Sequence, residues 1–184
     1  MIKIINRDIS DKLIGIAKQV PVVTVIGPRQ SGKTTLVKNS FPEYNYVNLE
    51  DPVNRMLAKE DYKGFFETYK EPLIIDEVQR VPELLSAIQV IVDEDRGKNG
   101  RFILTGSHQA SLQKEIAQSL AGRTGILTLL PLSMNELSEE GLLEDLSVDR
   151  LLLRGFMPEL YREGAREASV YYRDYLNTYV EKDL

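Results

Sequence analysis

The sequence predicts an α/β fold built on a five-stranded, mostly parallel sheet, and three observations carry that expectation. Short β-branched runs alternate with helical stretches along the chain, the pattern of βαβ units. The first run, Val22-Val23-Thr24-Val25-Ile26, leads directly into Gly27-Pro28-Arg29-Gln30-Ser31-Gly32-Lys33-Thr34-Thr35, which satisfies G-x-x-x-x-G-K-[ST] at a strand-to-helix junction. A later run, Leu73-Ile74-Ile75, ends in two adjacent carboxylates, Asp76 and Glu77.

In chain order, Ile9, Leu13, Ile16 and Ala17 recur at helical spacing ahead of the first strand, so an amphipathic helix is expected to cover the sheet there. The strand from Val22 to Ile26 passes through the glycine loop into a helix from Gly32 to Ser40. Further strands are expected from Tyr44 to Leu49, Leu73 to Ile75, Arg101 to Thr105 and Ile126 to Leu130. Pro52 and Pro82 mark helix starts, because a proline in the first turn gives up no intrahelical hydrogen bond. The Pro52 segment carries Arg55, Met56 and Ala58, and the Pro82 helix runs to Asp93. Another helix spans Ser111 to Leu120, and Tyr171 to Leu184 reads as a helix with Tyr172, Leu176 and Tyr179 on one face. No internal repeat, low-complexity tract or Gly/Ser linker interrupts the pattern.

Composition bounds the chemistry. The 184 residues suffice for one sizeable core and an appendage, and 42% hydrophobic with 28% charged residues is a soluble globular balance. There is no Cys and a single His, His108, which excludes disulfides, thiolate metal sites and multi-histidine centres. A net charge of −5 argues against a surface that grips nucleic acid as a whole, and leaves a local basic patch open. Charge interrupts the amino terminus too early for a secretory segment, and no apolar run reaches membrane-spanning length, so a cytoplasmic location is the default expectation.

The 27–35 loop has each residue type where phosphate chemistry needs it. Gly27 and Gly32 let backbone N–H groups approach phosphate oxygens, with Pro28, Arg29, Gln30, Ser31 and Thr35 completing the cradle. Lys33 carries charge to the β and γ phosphates, and the Thr34 hydroxyl is a Mg²⁺ ligand. An acid at the carboxyl end of a parallel strand projects into the ligand crevice, which makes Asp76 the second candidate Mg²⁺ residue, acting through water. Glu77 beside it is the candidate base for a water attacking the γ phosphate. The run Phe102-Ile103-Leu104-Thr105-Gly106-Ser107 ends in hydroxyls at the same level, so Thr105 or Ser107 is placed to sense that phosphate; His108 next to them reads as a turn residue. A guanidinium stabilises charge on a transferring phosphoryl group, and Arg123, just past a helix and Gly122, is the first candidate, followed by Arg29 and Arg80.

Together with Tyr46-Val47-Asn48-Leu49-Glu50-Asp51-Pro52, Ile74-Ile75-Asp76-Glu77-Val78-Gln79, Leu104-Thr105-Gly106-Ser107 and Ser119-Leu120-Ala121-Gly122-Arg123, the loop resembles a family of prokaryotic AAA-type P-loop ATPases over nearly the whole chain. The resemblance implies a three-layer P-loop NTPase fold of the additional-strand, catalytic-glutamate kind, with strand order 5-1-4-3-2 and Mg-ATP as ligand. Family members usually continue into a carboxyl-terminal domain, so residues 1–131 are expected to form the ATPase core and 132–184 a helical extension opening that domain. The family's Gly-Gly-Phe-Pro-like stretch appears as Arg154-Gly155-Phe156-Met157-Pro158, without the doubled Gly.

Two rival classes are weakened by absent features. A GTPase needs an Asn/Thr-Lys-x-Asp base-reading segment, and no strand end carries one; a small-molecule kinase needs an Arg-bearing lid, and none is evident. An ATP-hydrolysing switch or motor remains, against a nucleotide-gated module that binds ATP or ADP, turns over little and docks a protein, DNA or a second copy of itself through its carboxyl-terminal part.

Overall fold

A computed structural model describes residues 4–107, 110–143 and 147–179. The chain divides into two compact units, one of Ile9–Leu129 and one that joins the amino-terminal residues up to Asp8 with those from Leu130 onward.

The larger unit begins with α1 (Ser10–Ala17), β1 (Val22–Gly27), α2 (Lys33–Ser40) and β2 (Asn45–Asn48). It continues with α3 (Pro52–Glu60), α4 (Tyr62–Thr68), β3 (Leu73–Asp76), a 3₁₀ turn at Val78–Arg80, α5 (Leu84–Glu94), β4 (Phe102–Ser107), α6 (Ala110–Ser119) and β5 (Thr124–Thr128). All strand pairs are parallel, in the order β2-β3-β4-β1-β5, the expected order read from the opposite edge. β1, β3 and β4 are buried along their entire length, which is why they read as continuous apolar runs. Successive side chains take opposite faces. Val22, Ile26, Leu73, Ile75, Phe102 and Leu104 pack with Phe65 of α4, Leu85 and Ile88 of α5 and Ile116 of α6. Val23, Val25, Ile74, Ile103 and Leu127 pack with Leu13 of α1 and Leu36 and Val37 of α2. The result is a helix–sheet–helix sandwich.

Several elements depart from the sequence reading in number or extent. The stretch between Pro52 and β3 holds two helices, α4 opening where the Asp61 carboxylate accepts from Gly64 N at 2.9 Å. β5 starts at Thr124, two residues before the expected Ile126, because its pairing with β1 sets Val22 opposite Thr124 and Ile26 opposite Thr128.

The second unit contains α7 (Met134–Glu139), α8 (Val148–Arg154), a 3₁₀ turn at Pro158–Tyr161 and α9 (Ala168–Tyr179) around Leu137, Leu151, Met157, Leu160 and Tyr171. Its centre is Glu136, only 4% exposed. Glu136 closes a capping box with Ser133 and also accepts from Arg7 Nε and Asp8 N, each at 2.9 Å. Those bonds explain why the first residues associate with this unit instead of with a core of residues 1–131. On α9 the buried residue is Tyr171, stacked on Tyr175, while Leu176 is 52% exposed. Of the face expected to hold Tyr172, Leu176 and Tyr179, Tyr172 packs partly against the same cluster, and the Tyr179 side chain lies outside the described residues. Gly155, at φ 69° and ψ −166°, occupies backbone space that glycine alone enters readily, and a Cβ there would fall 2.0 Å from the Tyr172 hydroxyl.

Gly155→Ala is expected to lower stability by about 1 to 3 kcal/mol in urea titration, from backbone strain and displacement of Tyr172; an unchanged midpoint would mean that the 155–158 turn relaxes freely.

Candidate nucleotide site

The site forms at the carboxyl edge of the sheet, where β1, β3 and β4 end side by side. Gly27 and Ser107 are register partners across β1 and β4. The β1 end is tightly built: Leu129 N donates to Ile26 O at 2.8 Å, and a Cβ on Gly27 would fall 2.2 Å from the Leu129 carbonyl oxygen. The chain then turns through Gln30, at φ 61°, and Gly32, at φ 95°, before α2 begins at Lys33. The loop thus opens a helix N-terminus, the arrangement that favours anions.

Lys33 is 5% exposed and its ammonium donates to Gly27 O at 3.1 Å and Pro28 O at 2.9 Å, closing the loop on itself. Burial holds it below its ordinary value of 10.5, against the upward pull of Glu77 and Asp76. Thr34 points across to β3, its Oγ1 donating to Asp76 Oδ2 at 2.8 Å. Arg29, Gln30 and Thr35 are exposed, whereas Ser31 is buried.

Asp76 is 2% exposed and accepts from three hydroxyls on three elements. Besides Thr34, the Tyr46 hydroxyl of β2 donates to Oδ2 at 2.9 Å, and Thr105 of β4 donates to Oδ1. Burial, then the Asp76 charge, pushes the Tyr46 phenol well above its usual range, so it stays a donor, and Lys38 sits over its ring at 3.9 Å. Thr105 also accepts from Glu77 N at 3.2 Å. Glu77 itself lies at φ 60° and ψ 46°, left-handed space that a non-glycine residue enters at a cost of about 1 to 3 kcal/mol and that clusters at functional sites. Its carboxylate accepts from Gln79, which also donates to Ser107 Oγ at 2.8 Å.

The structure therefore brings together Gly27, Lys33, Thr34, Asp76, Glu77, Thr105 and Ser107. It does not bring Arg123 to them. Arg123 precedes β5, at the amino edge of the parallel sheet, where its carbonyl accepts from Val22 N and its guanidinium pairs with Asp93 at 2.7 and 2.9 Å. Arg80 is engaged with Glu50, Nη2 to Oε1 at 2.6 Å, tying the turn after β3 to the turn after β2. His108 lies outside the described residues. Sequence reasoning passed over Tyr46 and Gln79. The signal for Tyr46 was its place in β2, directly beside β3; Gln79 carried none beyond following Asp76-Glu77.

Fold and site together define a P-loop nucleotide-binding domain of the AAA type. The chain belongs to the AAA domain family, whose model matches residues 19–138. Uncharacterized protein Rv2008c of Mycobacterium tuberculosis is 34% identical over 189 residues, spanning 97% of this chain and 40% of that protein. Uncharacterized protein MJ1544 of Methanocaldococcus jannaschii is 31% identical over 144 residues, 73% of this chain and 31% of its own length. The chain thus spans well under half of these relatives. Among solved structures, the Walker-type ATPase paby2304 of Pyrococcus abyssi superposes with a TM-score of 0.58 over 95% of this chain and 68% of that one, at 18% identity, a likeness of fold. No helix among the described residues is long and apolar enough to cross a membrane.

Thr105→Val keeps shape but removes a donor to a buried carboxylate and an acceptor for Glu77 N, so it is expected to cost about 1 to 3 kcal/mol in urea unfolding. Thr24→Val, whose hydroxyl meets the Thr124 hydroxyl at 3.0 Å, should cost less because no charge is involved. Equal losses would show that Asp76 does not depend on its hydroxyl shell.

Proposed function

We propose that this chain binds Mg-ATP and hydrolyses it as a switch or motor domain, Glu77 activating the water. The observation that carries the reading is the 2.8 Å hydrogen bond from Thr34 to Asp76. It places in contact the two side chains suited to holding one cation beside a triphosphate. A hydroxyl and a single carboxylate fit Mg²⁺, which keeps waters and takes its other ligands from phosphate oxygens. Among the described residues no cluster of three or more His, Cys, Asp or Glu offers a cation a separate cage. When bound, Mg²⁺ would neutralise charge on the β and γ phosphate oxygens.

The backbone N–H groups of Gly27 to Thr35 would take the phosphates, and Lys33 would exchange the Gly27 and Pro28 carbonyls for phosphate oxygens. Glu77 would accept a proton from water as its oxygen bonds to the γ phosphorus and the bond to the bridging oxygen breaks, giving ADP and phosphate. Thr105, bonded to both Asp76 and Glu77 N, would transmit the loss of that phosphate to β4.

The placement of Arg123 favours a second reading, a nucleotide-gated interaction module with little turnover. A lone chain brings neither Arg123 nor Arg80 to the loop, so on the ATPase reading Arg123 would serve a neighbouring copy. A protein partner or second copy also has an apolar surface to meet, since α8 leaves Val148, Leu152 and Leu153 at least 70% exposed. Nothing in the site speaks for DNA.

Glu77→Gln keeps the volume but cannot take a proton, so steady-state turnover should fall roughly 10²- to 10⁴-fold with Mg-ATP affinity unchanged. Asp76→Asn should instead weaken the Mg²⁺ dependence of binding. Wild-type turnover in Glu77→Gln, in protein that is itself active, would show that Glu77 is not the base and weaken the ATPase reading against the interaction module.

A further inference from the structure

Gln79, half-buried in the 3₁₀ turn after β3, donates from its side-chain amide to Glu77 Oε2 and to Ser107 Oγ, the latter at 2.8 Å. The orientation of the amide is set by its neighbour, because an ionised carboxylate only accepts and the N–H side must face it. The Gln79 carbonyl oxygen is left buried, with no hydrogen-bond partner among the described residues. An unpaired buried carbonyl offsets part of what the two amide bonds contribute, which lowers the cost of opening the arrangement. Ser107, the other anchor, is the register partner of Gly27, the first residue of the phosphate loop. Glu77 sits on left-handed backbone, its N–H fixed by Thr105, so the direction of its carboxylate is set by this turn and by Gln79.

We propose that Gln79 is a positioning residue that latches the Glu77 carboxylate to Ser107, loosened by a filled phosphate loop yet still closed in most nucleotide complexes, so that its opening limits turnover. The proposal rests on Glu77 being the base. While the latch is closed, one Glu77 oxygen is committed to Gln79 and withdrawn from any water. A phosphate beside Gly27 offers the Ser107 hydroxyl proton a charged acceptor, and rotation of that side chain toward it would carry its oxygen away from the Gln79 amide, while the Gln79 carbonyl, without a partner among the described residues, lowers the cost of the move.

The test is steady-state ATP turnover by the full chain carrying Gln79→Met, Gln79→Asn, Glu77→Gln, or Gln79→Met with Glu77→Gln. Met matches Gln in length without its N–H, and Asn keeps the amide but is one methylene short. Both single Gln79 variants should raise kcat by about tenfold, equivalent to about 1.4 kcal/mol, and leave KM for ATP within about twofold. The double variant should fall to the rate of Glu77→Gln, because the gain passes through the carboxylate. Folding of each variant is verified by the rise of its thermal midpoint with Mg-ATP. Gln79 variants that still bind nucleotide but turn over at or below the wild-type rate, a silent wild type included, overturn the latch while Glu77→Gln still slows turnover. A gain that survives Glu77→Gln also overturns it. If Glu77→Gln has no effect in either background, the reading of Glu77 as base fails, and the latch with it.

Discussion

One buried carboxylate organises this protein. Asp76 accepts hydroxyls from α2, β2 and β4 at the end of the sheet's most apolar segment, and each of those hydroxyls belongs to an element whose position the site needs. Burying a charge is tolerated only when hydrogen bonds replace its water, and three donors supply that replacement here. The same bonds hold the phosphate loop against β3 and orient the turn that carries Glu77. On the proposed function, stability and activity share these contacts, so substitutions at Thr34, Tyr46 or Thr105 are expected to act on both.

Topology does the rest of the positioning. With β1 between β4 and β5, and β3 on the far side of β4, the three strand ends that form the candidate site are neighbours. Two turns there depart from ordinary backbone space, at Gln30 and Glu77, and both lie where ligand would be met. The surrounding sheet, buried on both faces, is what keeps such turns in place.

Much of this was legible in the sequence, and for identifiable reasons. The loop from Gly27 to Thr35 and the strand ending in Asp76-Glu77 are local patterns whose spacing reflects backbone geometry. Strand order came only through family resemblance, since pairing is non-local. Tyr46 escaped because its partner Asp76 lies 30 residues away, and Gln79 because Ser107, which ties it to the end of β4, lies 28 away. Arg123 was singled out by its neighbours in sequence, yet β5 pairing carries it to the opposite edge of the sheet, onto Asp93. Which residue of the Tyr-rich helix α9 is buried was not legible, because several aromatic residues at helical spacing fit more than one face and only packing selects Tyr171. The grouping of Arg7 and Asp8 with Glu136 had no sequence signal at all.

The central claim is that the loop ahead of α2 binds the phosphates of a Mg-nucleotide through Lys33. Its most direct test is the thermal midpoint of the protein with and without Mg-ATP or Mg-ADP, beside Lys33→Ala. A ligand confined to the native state contributes about 2.7 kcal/mol at 100 times its Kd, a rise of roughly 5 to 11 °C for a chain this size. That rise is expected in the wild type, with near-complete loss in Lys33→Ala. A wild-type midpoint unmoved by either nucleotide up to millimolar concentration would contradict it.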